Sequence, residues 1–233
     1  MRFIIDDGVF EVLSEVCFGV VVARNLDNLA PRPPVKELLD RSVSEVREKY
    51  KDRNIKEHPD FLCYREAFQK LGVNPNKFPS SVEALTARVV KGGTLPDING
   101  VVNLVNAISL KYSLPMGAHD LDSVRGDLTV RFSRPGDQFT PFGQSVPETV
   151  EEGELVYADG REVRTRRWIW RQSDRGKVTE ESRNIFFPID GFVNHNRAAV
   201  LKARDELAGL LELVFQGETA TFYLDGSNRM IEF

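Results

Sequence analysis

Cysteine and histidine are scarce in this chain: two cysteines, Cys17 and Cys63, and three histidines, His58, His119 and His195, stand among 233 residues. No histidine has a second His or Cys at metal-ligand spacing, so a structural zinc site is unsupported. Two thiols are too few for a disulfide scaffold and read as reduced cysteines in apolar patterns. The phosphate-cradling patterns GxGxxG and GxxxxGK[ST] are absent, and no serine sits in a GxSxG setting. No nucleotide, metal or other cofactor is therefore expected, and a conventional hydrolytic triad is disfavoured. Long apolar runs are missing as well. The apolar run at residues 19–23 is far short of the roughly 18–20 residues that span a bilayer. The opening MRFIIDDGVFEVL carries Asp6 and Asp7 where a secretory signal would keep its apolar core. The expectation is a cytoplasmic protein with no membrane partner.

Excess charge of either sign is also lacking. With 31 Lys and Arg against 35 Asp and Glu, the net charge is −4, which argues against a domain that coats nucleic acid. A locally basic face stays open. Hydrophobic residues at 41% and charged ones at 28% are those of an ordinary globular chain, and the length suits one large domain.

Periodicity divides the chain into a helical part and a strand part. The spacing predicts strands over 3–5 and 18–24 around a short helix at 9–13, and a helix from Val35 to Tyr50 after the prolines at 31, 33 and 34. Further helices are predicted over 61–71, after the capping box of Ser80 and Glu83, and over about 98–112. From Leu128 the segments LTVRF, LVYADGREV and RWIWRQ alternate as half-buried strands, with a hairpin turn at Asp159-Gly160. Asn194 is a candidate cap for a last helix ending at Gly217, and TATFYLD a closing strand in the same sheet as 18–24. Helices and antiparallel strands in separate blocks indicate an α+β fold in one domain.

Two places carry unusual chemistry. On the helix at 98–112, Asn99, Asn103 and Asn106 fall within about 60° of one another, while nearly every other direction is apolar. A buried polar stripe needs a polar partner: either neighbouring loop backbone, or a ligand facing a neutral, hydrogen-bonding wall. The stretch 161–177 sets seven basic residues against two acids. Within it, Trp168 and Trp170 are expected on one strand face, with Arg167 and Arg171 on the other. Arginines interleaved with aromatics suit phosphate contact and base stacking, or else form a solvated surface over two core tryptophans.

These same residues resemble the B3/B4 editing domain of the phenylalanyl-tRNA synthetase β chain. NGVVNLVNAISLKYSLPMGAHDLDSVRGDLTVRFSRPGD is similar to the run in which an Asn-bearing helix leads into a Pro-hydrophobic-His-Ala-Phe-Asp-Leu-Asp loop. RWIWRQSDRGKVTEESRNIFF and residues 188–192 resemble that domain's second half. The resemblance implies a mostly antiparallel, barrel-like sheet core with packed helices, spanning about 62–215, preceded by a strand and helix extension over 1–60. It implies tRNA as partner, with an amino-acid side chain in a pocket. A free-standing protein of this kind would hydrolyse the ester of a mischarged tRNA in trans. Alternatives are a non-catalytic module binding tRNA or an amino acid, and a small-molecule hydrolase.

Carried over by position, the family Asn falls on Asn106, the loop Pro on Pro115, the loop His on Gly117 and the loop Phe on His119. The pocket Gly-Gly-Glu segment falls on Gln172, Ser173 and Asp174. The candidate catalytic residues are therefore Asn106, Asp174 and His119. Asn99, Asn103, Pro115, Gly117, Trp168, Trp170, Gln172 and Ser173 are candidates for substrate binding. Arg164, Arg166, Arg167, Arg171 and Arg175 are candidates for RNA contact. Aminoacyl esters are activated, so a positioned water and hydrogen bonds to a developing oxyanion suffice without a strong nucleophile.

Overall fold

The computed structural model describes residues 1–233. In chain order its main elements are β1 (Arg2–Ile5), α1 (Asp7–Val12), β2 (Val16–Arg24), α2 (Pro33–Lys49), α3 (Pro59–Lys70), α4 (Ser81–Val90) and α5 (Gly100–Tyr112). Then follow β3 (His119–Asp120), β4 (Leu128–Phe132), β5 (Gln138–Phe139), β6 (Glu148–Thr149), β7 (Leu155–Ala158), β8 (Val163–Arg166) and β9 (Arg171–Gln172). The chain closes with β10 (Ile185–Phe192), α6 (Arg197–Phe215), β11 (Glu218–Leu224) and β12 (Met230–Glu232). The fold is α+β. No helix is long and apolar enough to cross a membrane.

One sheet runs β12-β1-β4-β7-β8-β9 and a second runs β11-β2-β10-β3. All pairings within them are antiparallel except β1 with β4. Alternation along β2 and β10 explains the layering, because successive side chains point to opposite faces. Phe18, Val20, Val22, Phe186 and Phe192 join the apolar layer between the sheets, with Phe3, Val130 and Tyr157 from the first. Cys17, Val21, Ala23, Ile185, Phe187 and Ile189 face the other way, on to α5 and α6. Both faces of β2 and β10 are covered, which is why these strands read as nearly continuous apolar runs. α6 comes so close to β2 that a Cβ on Gly19 would stand 2.8 Å from Val200.

The N-terminal residues are built into both sheets. β1 lies between β12 and β4, and β2 between β11 and β10, so the strands that precede the matched core share sheets with strands within and after it. β2 pairs with β11 along its length, as the strand reading of 18–24 and TATFYLD required. Pro33 and Pro34 open α2 instead of preceding it, a position where a missing N–H costs nothing. Ser80 caps α4 by accepting from Glu83 N–H at 3.4 Å, while the Glu83 carboxylate turns away to Arg65 at 2.7 Å. Asn194 caps nothing: α6 starts after Asn196 and ends at Gln216 in left-handed geometry.

RWIWRQ is not one continuous strand: only its last two residues, Arg171 and Gln172, form β9. Arg167 and Trp168 both have left-handed backbone, with φ of 47° and 58°. Two such residues in succession reverse the chain direction between β8 and β9. The reversal is held from outside, by the Trp168 N–H donating to the Leu155 carbonyl at 2.6 Å and the Arg167 N–H to Glu154 at 2.9 Å. Non-glycine residues keep such geometry only where surroundings over-determine it. The two tryptophans therefore part company. Trp168 drops into the layer between the sheets, fully buried, and Trp170 stays half-buried at the surface.

Candidate active site

Three segments meet around a cavity of about 100 Å³: the loop 115–119, the bend 168–172 and strand β10. The loop lies along β10 because its backbone pairs with it. Gly117 N–H donates to the Pro188 carbonyl at 3.0 Å, and Asp190 N–H to the Pro115 carbonyl at 3.1 Å. Gln172 ties the bend to the loop, its Nε2 donating to the carbonyls of Ala118 at 2.6 Å and Gly176 at 2.9 Å. Of the residues expected in a site, Pro115, Gly117, His119, Trp168, Trp170, Arg171 and Gln172 line this one cavity.

His119 is buried and its ring stacks on Tyr157 at 5.8 Å between centroids. Burial, with the Arg164 charge acting in the same direction, pulls its pKa down to about 3, so the imidazole is neutral at ordinary pH. A Cβ placed on Gly176 would stand 3.0 Å from Arg164 Nη1 and 3.7 Å from His119 Nδ1. Nδ1 is thus on the arginine side of the ring, and it is sealed without a hydrogen-bond partner. A neighbouring cation favours a lone pair there, which assigns the proton to Nε2. Nε2 adjoins Gly117, 3.4 Å from where that residue's Cβ would be. The loop thus carries its imidazole from position 119 back over a glycine at 117, where the resemblance placed the family histidine.

Sequence reasoning passed over Asp190, the most perturbed acid in the cavity. It is only 2% exposed. Its Oδ1 accepts two hydrogen bonds, each 2.6 Å, from the Tyr157 hydroxyl and Trp168 Nε1. Desolvation outweighs both donors and pushes the carboxyl up to about 7. A lone acid within the apolar strand IFFPIDGF was the available signal.

Several expected residues lie elsewhere. The asparagine stripe does not reach this cavity. Asn99 caps α5 by accepting from Val102 N–H at 3.0 Å and donates to the Val178 carbonyl at 3.1 Å. Asn103 donates to Asp97 at 2.6 Å. Both border a separate groove of about 490 Å³, and Asn106, half-buried, lines neither space. Asp174 accepts from Gly143 N–H at 3.0 Å and pairs with Lys177 at 3.1 Å, and Ser173 is fully buried. Neither lines the cavity. The loop acids cap backbone and side-chain amides: Asp120 accepts from Asp122 N–H at 2.9 Å, and Asp122 from Asn184 at 3.0 Å.

The arginine run divides in the same way. Arg164 is buried, its Nε donating to Asp159 at 3.0 Å, and Arg166 forks on to Glu154 at 3.0 and 2.8 Å. Arg175 lies 3.5 Å from Glu162. The Arg164 and Arg166 guanidinium groups are thus largely buried and already paired with carboxylates. Arg171, exposed, remains at the rim with its guanidinium 4.7 Å from the Trp170 ring, whereas Arg167 packs between Phe78 and Trp170 at 3.9 and 4.7 Å and lies 3.4 Å from Glu154.

Comparison with known proteins places this arrangement. The model of the B3/4 domain matches residues 63–213. The chain belongs to the B3/4 domain family. Among similar proteins, the phenylalanine–tRNA ligase beta subunit of Idiomarina loihiensis is 33% identical over 102 residues, 44% of this chain and 12% of that one. The corresponding subunit of Fusobacterium nucleatum is 27% identical over 142 residues, 61% and 17% of the two chains. The chain spans less than a fifth of the length of these relatives. An N-terminal fragment of the phenylalanyl-tRNA synthetase beta subunit from Pyrococcus horikoshii is similar at TM-score 0.49 and 11% identity, over 95% of this chain and 53% of that one. The cavity-forming segments all fall within the B3/4 match, whereas β1, β2, β11 and β12, which complete the two sheets, lie outside.

Proposed function

We propose that this B3/4 chain binds the aminoacyl end of a tRNA in the cavity between the loop 115–119 and the bend 168–172, and hydrolyses the ester in trans. The observation that carries the reading is the juxtaposition of the loop, the bend and β10 within a B3/4 match shared with tRNA-ligase subunits. In this reading His119 Nε2–H donates to the ester carbonyl and to the oxyanion that develops on it, a role a neutral imidazole can fill and a base cannot share. Water adds to the carbonyl carbon, the bond from that carbon to the ribose oxygen breaks, and the ribose oxygen leaves with a proton. The products are a free amino acid and a tRNA with its terminal hydroxyls restored. Arg171 lies beside Trp170 at the rim, where a terminal base can stack and a phosphate can pair.

A second reading, a module that binds the aminoacyl end without cleaving it, is favoured by one observation: Asp174 and Asn106 lie away from the cavity. Incubation with tRNAs mischarged with each amino acid in turn separates the two. Release of amino acid from at least one supports the hydrolase. Binding without release from any supports the module.

A further inference from the structure

The cavity holds a carboxyl group that the hydrolytic reading leaves unused. Asp190 belongs to β10, whose neighbouring residues Ile189 and Phe187 face the helices, so its side chain enters the layer between the sheets. There Tyr157 and Trp168 fix the carboxyl by its Oδ1 alone. Oδ2 has no protein donor, and it is not among the polar atoms sealed away without a partner, so it stays open on the cavity that Asp190 lines. No lysine or arginine forms an ion pair with Asp190 either. The one cation lining the cavity, Arg171, is laid against Trp170 at the rim.

We propose that the open oxygen of Asp190 receives a primary ammonium group, so that the cavity takes amine-bearing ligands: an amino acid or aminoacyl ester through its α-ammonium, or a short cationic side chain. This rests on the reading of the cavity as a small-ligand site. A buried carboxylate gains most from a partner that supplies both a hydrogen bond and the opposite charge. The aromatic walls, Tyr157, Trp168 and neutral His119, bring no competing charge. Room of about 100 Å³ admits a group of a few heavy atoms. One free carboxylate oxygen does not make a metal site.

The chain has only two tryptophans, so an indole ¹H–¹⁵N spectrum has two signals, assigned with Trp170→Phe. The Trp168 indole is bonded to Asp190 and reports directly on it. Wild-type protein is titrated with ethylammonium, with alaninamide for the α-ammonium, and with Nα-acetyl-lysinamide for the side-chain ammonium. Ethanol and N-acetylalaninamide are the neutral counterparts. The expected result is a saturable shift of the Trp168 signal, with at least one ammonium compound binding about tenfold or more tighter than its neutral counterpart. Which ammonium arm binds identifies the source. In Asp190→Asn, which keeps the acceptor and loses the charge, the preference disappears. Neutral compounds binding as tightly, or a Trp168 signal unmoved by every ammonium compound, would overturn the proposal on wild-type protein alone. Aminoacyl-tRNA and its N-acetylated form then separate this inference from the function it rests on. Equal cleavage of both, with no side-chain ammonium bound, rejects the ammonium site and leaves the hydrolase. Amine binding without any tRNA binding or cleavage keeps the ammonium site and rejects the tRNA reading.

Discussion

Replacing Asp190 by asparagine changes how stability depends on pH, with a sign opposite to that of most carboxylates. Its carboxyl is raised from an ordinary 3.8 to about 7 by burial. Between those values the folded protein holds a proton that the unfolded chain has released. The resulting stabilisation is complete below pH 3.8 and is lost as pH rises to 7, at about 1.4 kcal/mol per pH unit. Over the full interval the loss is on the order of 4 kcal/mol, as a ceiling. The groups facing Asp190 are the Tyr157 hydroxyl from β7, the Trp168 indole from the bend and Tyr64 from α3, whose hydroxyl donates to the Asp190 carbonyl at 2.9 Å. Cys17 on β2 is also close enough to feel its charge. Both Tyr157 and Cys17 are pushed upward by burial, so none of these groups titrates in the window. Urea unfolding of wild type and Asp190→Asn at several values between pH 4 and 8, followed by tryptophan fluorescence, gives the difference between the two stabilities. The difference should move steadily in favour of the asparagine variant as pH rises, then level above 7. Parallel curves would refute the buried-carboxylate argument.

His119→Phe should act in the opposite direction. The imidazole pKa falls from 6.5 to about 3 on folding, so wild type loses stability as pH drops through that interval and the variant escapes the loss; identical acid-unfolding curves would contradict this. The same variant should slow ester hydrolysis by about 10²-fold, the usual cost of one oxyanion donor, and wild-type activity should show no inflection near pH 6.5. Arg164→Met leaves Asp159 buried without its cation and should cost about 3–5 kcal/mol in unfolding free energy. Arg171→Ala should leave stability nearly unchanged, yet weaken tRNA binding and flatten its salt dependence by about one unit for the phosphate no longer neutralised; an unaltered salt slope would make this rim arginine ordinary surface.

What was legible in the sequence was what local patterning controls. Apolar periodicity located α2, α3, α5 and α6, and alternation located β4 and the hairpin of β7 and β8. The Ser80 cap followed from side-chain chemistry alone. What escaped depends on distant partners. Nothing local tells Arg167 and Trp168 to adopt left-handed backbone; Leu155 and Glu154 impose it. The strand VRTR reads as a basic surface until Asp159, Glu148 and Glu154 are seen to neutralise Arg164 and Arg166. Helical spacing put three asparagines on one stripe, but not which cavity that stripe faces. The resemblance singled out the loop and residues 172–174, of which only Gln172 shares the cavity with the loop, and did not single out Asp190 on β10.

The claim that the cavity is the aminoacyl site is tested most directly by filling it. Gly117 lines the cavity, and a Cβ there would stand 3.1 Å from Pro188 and 3.4 Å from His119 Nε2, so Gly117→Leu obstructs the space beside the imidazole. The measurement is the rate of amino-acid release from the panel of mischarged tRNAs, for wild type and for this variant, with folding verified by near-ultraviolet circular dichroism. The account predicts release from at least one mischarged tRNA by wild type and its loss in folded Gly117→Leu. Release that continues undiminished with the cavity filled would contradict it.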